Sequence, residues 1–181
     1  QHTPSELGIG TPAPDLTAVY TPEPGTAYIG GDEIFITYQD GVFTVDFDVV
    51  GAHRIRSIYG AAGKVWIGAE KGTVLELQPD GSFSPLSTIN PGAKVNAMWY
   101  SPGGTLYAGG GQPFAMLWKY DESTDNWDFL EVKSPSFIKE DGNYLNRVSG
   151  QARLSGIWGT DDENIFVVTK EKQVVHYAVH P

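Results

Sequence analysis

The sequence has no cysteine among its 181 residues and no Asn-x-Ser/Thr sequon. Without thiols the chain cannot form a disulfide, a thiolate nucleophile or a zinc–thiolate site. No apolar run approaches the roughly 20 residues that a membrane-spanning helix needs. We therefore expect no membrane insertion and no chemistry that depends on sulfur.

Positive charge is also scarce, because 12 Lys and Arg residues stand against 22 Asp and Glu residues, a formal net charge of −10. A field of that sign repels phosphate backbones and anionic membrane surfaces. The sequence therefore predicts no nucleic-acid partner. The chain begins with Gln1 rather than Met, which we interpret as the result of processing. We expect a secreted or cell-surface protein, with a virion as the alternative location.

A short phrase of mainly aliphatic residues that ends in an aromatic occurs four times along the chain. The four copies end at Tyr20, Tyr59, Trp99 and Trp158, with separations of 39, 40 and 59 residues. A period near 40 residues in strand-like sequence is typical of propeller blades. The phrase therefore predicts four blades, with an insertion before the last one.

Turn residues divide each unit into short strands. Asp40-Gly41 and Asp80-Gly81 separate alternating apolar runs, which favours two-residue hairpins with positive φ at both turn positions. The last unit offers strands only over 153–160, 164–170 and 173–179 before the chain ends. The sequence thus predicts an all-β fold, a small antiparallel β-propeller of about four blades. Three blades are complete and four-stranded, and the fourth lacks its outer strand.

Two segments fall outside the repeat. Residues 1–15 form a proline-rich, extended leader before a single propeller domain over 16–181. The leader could complete the last blade of the same chain or of a neighbouring molecule, or the chain could be part of a larger propeller. Residues 133–152 are an insertion, either an irregular connection or a partner-binding loop that contains Phe137 and Tyr144.

The second unit carries a family resemblance. Its run Val65-Trp66-Ile67-Gly68 follows an aromatic strand and a glycine turn, and Gly72 leads into the next strand. This pattern resembles the short propeller repeats of two-component regulators, found in bacterial sensor ectodomains. Residues 154–177 are similar to blades of exported bacterial or phage proteins. The resemblance implies a propeller that binds a ligand or a protein, and it transfers no catalytic residue.

Two rings of equivalent residues are the candidate ligand-binding sites, because the first strand of each unit should be innermost. The polar ring, which could hold either ordered water or a small ligand, consists of Thr17, Arg56, Asn96 and Ser155. The aromatic ring, which could either wedge the blades or stack on a ligand, consists of Tyr20, Tyr59, Trp99 and Trp158. We predict ligand binding at the aromatic ring together with Arg56 and Asn96.

No motif for catalysis, a metal or a cofactor stands out. The acids Asp121, Glu122, Asp125 and Asp128 lack the spacing of a calcium loop and indicate a solvated turn. His176 and His180 have no third ligand near them in the sequence. There is no nucleophile elbow and no phosphate-binding loop. We therefore predict no metal, no cofactor and no enzyme activity.

The function predicted from the sequence is that of a non-catalytic binding or assembly module. It would present a propeller face and loops to a protein or carbohydrate partner. One alternative is a structural subunit of a virion or surface fibre in which the leader exchanges between molecules. A second alternative is a glycosidase- or lyase-like enzyme on a propeller scaffold.

Overall fold

A computed structural model describes residues 7–10, 12–47, 49, 54–111, 116–130, 137–138, 144–145, 153–170, 172 and 174–178. Antiparallel strands account for most of this part of the chain, and no α-helix occurs in it. Accordingly, the described residues contain no helix that could cross a membrane.

The strands follow one another in four sheets and one short hairpin. Blade 1 contains β1 Leu16–Glu23, β2 Thr26–Gly31, β3 Ile34–Gln39 and β4 Val42–Asp46. Blade 2 contains β5 Ile55–Ala61, β6 Lys64–Ala69, β7 Val74–Leu77 and β8 Phe83–Pro85. Blade 3 contains β9 Val95–Tyr100, β10 Leu106–Gly110, β11 Met116–Asp121 and β12 Asn126–Leu130. The hairpin is β13 Phe137–Ile138 with β14 Tyr144–Leu145, and blade 4 contains β15 Leu154–Asp161, β16 Asn164–Thr169 and β17 Val174–Ala178.

Within each blade the strands pair in sequence order, and the first strands of consecutive blades pack on one another, β1 on β5, β5 on β9 and β9 on β15. The first strand of each blade is therefore innermost. This architecture confirms the predicted all-β propeller of four blades, and within the described residues the fourth blade has three strands. Comparable packing of β15 against β1 is absent from the described part, so the blades form an open arc.

We call each contact between neighbouring blades a junction, and one packing element repeats in all three. An aliphatic side chain that starts the inner strand of one blade lies against a glycine in the second strand of the blade before it. The pairs are Ile55 with Gly30, Val95 with Gly68 and Leu154 with Gly109. All three aliphatic side chains are fully buried. Each glycine is needed because a Cβ there would collide with the seated side chain.

The two Asp-Gly hairpins differ from each other. Asp40 and Gly41 both have positive φ, of 48° and 93°, as predicted for a two-residue turn. At the second turn only Gly81 does, with φ of 86°, so the prediction of positive φ at Asp80 was wrong. Asp80 instead accepts hydrogen bonds from the backbone and hydroxyl of Ser82, and the Gln78 amide bonds the Ser82 carbonyl. In this longer turn only Gly81 adopts the left-handed backbone conformation.

The described part of the leader lies on blade 1. Leu7 and Ile9 pack against Ile34 and Ile36, and the Asp32 amide donates to the Asp15 carbonyl oxygen. No described leader residue pairs with β17. Within the described residues the leader therefore does not complete the last blade of its own chain.

Gly110 provides a test of how tightly the blade 3 backbone is packed. A Cβ at this position would overlap the Lys94 carbonyl group, which is backbone and cannot rotate away. We expect Gly110→Ala to lower the free energy of unfolding by about 2–4 kcal/mol, measured by urea denaturation. The control Gly92→Ala is exposed and meets only ordinary contact. A loss at Gly110 no larger than at Gly92 would contradict this packing.

Candidate functional site

A cleft of about 490 Å³ lies between blades 2 and 3. Its floor is aromatic, because Trp66 of β6 stacks on Tyr100 of β9 with ring centroids 5.2 Å apart and planes 22° apart. Tyr120 of β11 lines one wall, and the turns around Gly104 and Ser123 form the rim. The cleft thus combines flat apolar surface with polar edges.

The charged groups of the cleft are mostly acidic. They comprise four carboxylates and two amines, namely Glu76, Asp121, Glu122, Asp128, Lys64 and Lys119. Lys64 Nζ lies 3.3 Å from Glu122 Oε1 and 3.6 Å from Glu76 Oε2, so it links the two blades. Burial alone would lower the pKa of Lys64, but its hydrogen bonds and attraction to Glu122 and Glu76 raise it. Glu122 itself is exposed and accessible from solvent.

A hydrogen-bond network fixes the Tyr120 wall. The Tyr120 hydroxyl donates to Asp125 Oδ1 at 2.8 Å, and the Ser87 amide donates to the same oxygen at 3.1 Å. The Trp127 indole, packed on Tyr120, donates to the Ser87 carbonyl at 2.8 Å. Burial and the hydrogen bond to Asp125 raise the pKa of Tyr120 to about 12. The bonds from Tyr120 and Ser87 in turn lower the pKa of Asp125.

The structure places three of the four aromatic-ring residues between blades. A Cβ on Gly60 would collide with the Tyr20 ring, and one on Gly159 would meet the Trp99 ring, so these rings cover the next blade. Tyr59 packs between the cores of blades 2, 3 and 4. Trp158 differs, since its side chain is largely exposed beside Phe166. Ligand binding by these four residues stays a prediction.

The polar-ring residues have partners within the protein. Thr17 donates to the Ile55 carbonyl oxygen, and Asn96 Nδ2 donates to that of Leu154 at 3.0 Å, so both cross a junction. Arg56 pairs with Glu70, and this bond lowers the pKa of Glu70. Ser155 donates instead to Val168 in its own blade. Ligand binding by Arg56 and Asn96 therefore stays a prediction, and it would compete with these contacts.

The remaining predicted positions give less information. The side chains of Phe137 and Tyr144 and the whole of His180 lie outside the described residues, so the partner loop stays a prediction. His176 stacks on Phe166, with ring centroids 4.3 Å apart, and contacts Asn164. Across the described ranges no group of three His, Asp or Glu side chains could hold a metal ion.

Sequence reasoning singled out the Asp121–Asp128 turn but missed the cleft beside it. Lys64, Tyr100 and Glu122 come from strands and turns of two blades, and no local motif joins them. The only signal in the sequence that could have identified these residues is their position within the repeat. Tyr100 directly follows the closing aromatic Trp99, and Lys64 begins the second strand of the blade before it.

No protein-family model and no curated protein matches the chain. The WD40 β-propeller domain of Doa1 matches with a TM-score of 0.68 at 8% identity, covering 94% of this chain and 53% of that one. The computationally designed protein Ika4 matches with a TM-score of 0.60 at 13% identity, covering 95% and 96%. The extracellular domain of the one-component system BT4673 from B. thetaiotaomicron matches with a TM-score of 0.57 at 14% identity, covering 96% and 28%.

The chain has a β-propeller repeat fold. It spans about half of the Doa1 chain and less than a third of the BT4673 chain. At these identities the likeness is one of fold, so the resemblance to two-component-regulator repeats stays a prediction.

Tyr120→Phe tests the network that shapes the cleft. We expect a loss of about 1 kcal/mol in the free energy of unfolding at pH 7, because one hydrogen bond disappears. The pKa of Tyr120 is raised in the folded state to about 12, so its contribution is complete below pH 10 and is lost as pH rises toward 12. Urea denaturation should therefore show a shallower alkaline decline in the variant. Tyr38→Phe is the control, and equal effects of the two changes would contradict this role for Asp125.

Proposed function

We propose that this propeller is a non-catalytic binding module that holds a basic segment of a partner protein in the cleft between blades 2 and 3. The observation that carries the proposal is the excess of carboxylates over amines around an aromatic floor. The proposed ligand group is a Lys or Arg side chain, whose apolar stem would lie on Tyr100 and whose charge would meet Glu122 and Asp128.

Charge supports a basic partner. The chain carries a formal charge of −10, which would draw a cationic segment toward the surface at long range. Within the cleft, Lys64 already neutralises part of Glu76 and Glu122 and has to share them with the incoming group. Lys64 therefore limits the affinity that the cleft can reach.

A non-catalytic role fits the ion-paired state of Glu76 and Glu122, which suits charge recognition rather than proton transfer. Carbohydrate binding has weaker support, because Trp66 is buried and offers no open ring face. A secreted or cell-surface location is part of the proposal, and the likeness to an extracellular domain is in keeping with it.

An octalysine peptide is a suitable probe. We expect it to bind by isothermal titration calorimetry at low salt and to weaken strongly as salt rises, because exposed charges are screened. Glu122→Gln combined with Asp128→Asn should weaken binding about tenfold, equivalent to about 1.4 kcal/mol. Glu23→Gln, an exposed acid of blade 1, is the matched control. Unchanged binding in the double variant, or equal binding of octaglutamate, would refute the site.

Lys64→Ala gives a change of opposite sign. It frees Glu76 and Glu122 from their competing cation, so octalysine should bind about threefold to fivefold more tightly in the same calorimetric assay. Weaker binding in this variant would show that Lys64 is a contact of the ligand instead.

A further inference from the structure

The outer face of blade 4 exposes side chains that are buried at every complete junction. Strand register makes Trp158 equivalent to Trp99 of blade 3, and Val174 equivalent to Leu117. Trp158 is 60% exposed and Val174 53%, whereas Trp99 is 5% and Leu117 0% exposed. The exposed residues of this face are therefore of the kind that the following blade covers at a complete junction.

The opposite face of blade 1 shows the matching deficiency. Leu16 occupies the place of Ile55, Val95 and Leu154, which seat on the preceding blade. Leu16 is 55% exposed, whereas those three are fully buried. Val19 is equivalent to Met98, and the two are 65% and 4% exposed. Blade 1 therefore presents a junction face without a preceding blade.

Charge makes these two faces complementary. At junction 1–2, Asp32 pairs with Arg54 at 2.6 Å, and at junction 2–3, Glu70 pairs with Lys94 at 3.3 Å. Each pair joins the residue after the second strand of one blade to the residue before the first strand of the next. Register puts Lys170 and Asp15 in these two positions at the open ends. Lys170 has no ion pair among the described residues, and it is opposite in charge to Asp15. Asp15 is already 3.2 Å from Arg54, so Lys170 would share this carboxylate with Arg54.

Polar contacts follow the same arrangement. Thr17 and Asn96 each donate to the first carbonyl of the next inner strand. The equivalent residue of blade 4 is Ser155, which is exposed and makes only a 3.3 Å bond within its own blade. The carbonyl that it would reach belongs to Leu16.

We propose that two copies of this chain join head to tail and close an eight-bladed ring. Blade 4 of each copy packs on blade 1 of the other, with Lys170 facing Asp15 and Ser155 facing the Leu16 carbonyl. Trp158 approaches Thr21, whose side chain stands where Gly60 and Gly159 lie under the rings of Tyr20 and Trp99. The ring therefore contains two new junctions, which are identical.

A second copy is the occupant that these faces favour. An unrelated partner would have no reason to match Lys170 and Ser155 in register, whereas blade 1 of the same chain matches both. Two copies suffice, because one chain overlays about half of the Doa1 chain, and eight blades lie within the usual range of propellers. A head-to-tail contact forms a closed ring when the rotation completes a full turn.

The described leader does not oppose this docking. Ile9 precedes β1 by 7 residues and clusters with Ile36, much as Val49 precedes β5 by 6 residues and clusters with Leu75, the register equivalent of Ile36. Val49 is part of junction 1–2, so a residue that precedes the inner strand and covers this position belongs to a normal junction. Ile9 would therefore become part of the new junction rather than block it.

The proposal is independent of the peptide cleft and is tested by mass in solution. Sedimentation equilibrium and native mass spectrometry should give twice the 19.7 kDa of one chain. Val174→Asp places an unpaired charge in the junction and should weaken the dimer at least about a hundredfold. Val42→Asp, on the outer strand of blade 1, is the control, because Val42 is also exposed (64%), and it should leave the mass unchanged. A single-chain mass for the wild type up to millimolar concentration would overturn the proposal, and so would an open series of larger species.

Mixing distinguishes head-to-tail docking from other dimers. Val174→Asp and Leu16→Asp should each be monomeric alone, while their mixture retains one junction with two unaltered faces and should recover a weaker dimer. Lys170→Asp or Asp15→Lys alone should weaken the dimer about tenfold, and the two together should restore it. A mixture that stays monomeric, or a double charge variant weaker than either single one, would refute the arrangement. Thermal unfolding of each variant confirms that the chain is folded.

Discussion

The seating of one aliphatic side chain on the preceding blade is the contact on which the rest of the propeller depends. Ile55, Val95 and Leu154 each enter a space that a glycine leaves open in the second strand of that blade. Full burial of such a side chain is worth about 1.5–3 kcal/mol. A single blade has two apolar faces and cannot bury them alone, so stability depends on these junctions.

Each junction also fixes the angle between blades, and the hydrogen bonds around it make that angle specific. Thr17, Ser57 and Asn96 reach the carbonyl at the start of the next inner strand, where the aliphatic residue enters. At junction 3–4 the buried Tyr107 hydroxyl adds a bond to Asp162 at 3.1 Å, and burial together with the Asp162 charge raises its pKa. The aliphatic contact and the hydrogen bonds between blades therefore lie at the same part of each junction.

The repeated phrase was sufficient to predict the fold because its signals are local. Asp40-Gly41 determines a turn, and a strand that ends in Tyr59 or Trp99 recurs at the blade period. The number of blades and the three strands that the structure describes in blade 4 were therefore both predictable. The cleft was not, because Lys64 and Glu122 meet only when two blades pack. Asp80 shows a further limit, since an Asp-Gly pair fits two turn types and the hydrogen bonds of Ser82 select one. The alternation of polar and apolar residues along the inner strands identified Thr17 and Asn96 as members of a polar ring. It did not predict that their side chains donate hydrogen bonds to the neighbouring blade.

Blade 4 differs from the other blades in which strand carries the glycine of one cross-strand pair. Val168 stands where the other blades have glycine, and the inner-strand residue paired with it is Gly156, where they have Ala18, Ser57 or Ala97. A Cβ on Gly156 would meet the Val168 side chain, so the small and large positions have exchanged between the two strands. Val168 fills the space that glycine leaves open at the other junctions, so the aliphatic side chain that docks here must pack on Val168 instead of entering a glycine gap.

This exchange, together with the reversed charges, makes the outer face of blade 4 specific for one partner. At junctions 1–2 and 2–3 an acid on the preceding blade meets a base on the following one, Asp32 with Arg54 and Glu70 with Lys94. Lys170 reverses that order and would repel Arg54 or Lys94, so the inner edges of blades 2 and 3 are disfavoured on this face. Like charges in a wrong register contribute to specificity as much as an attractive pair does, so Lys170 favours junction 4–1 over the other possible contacts between blades.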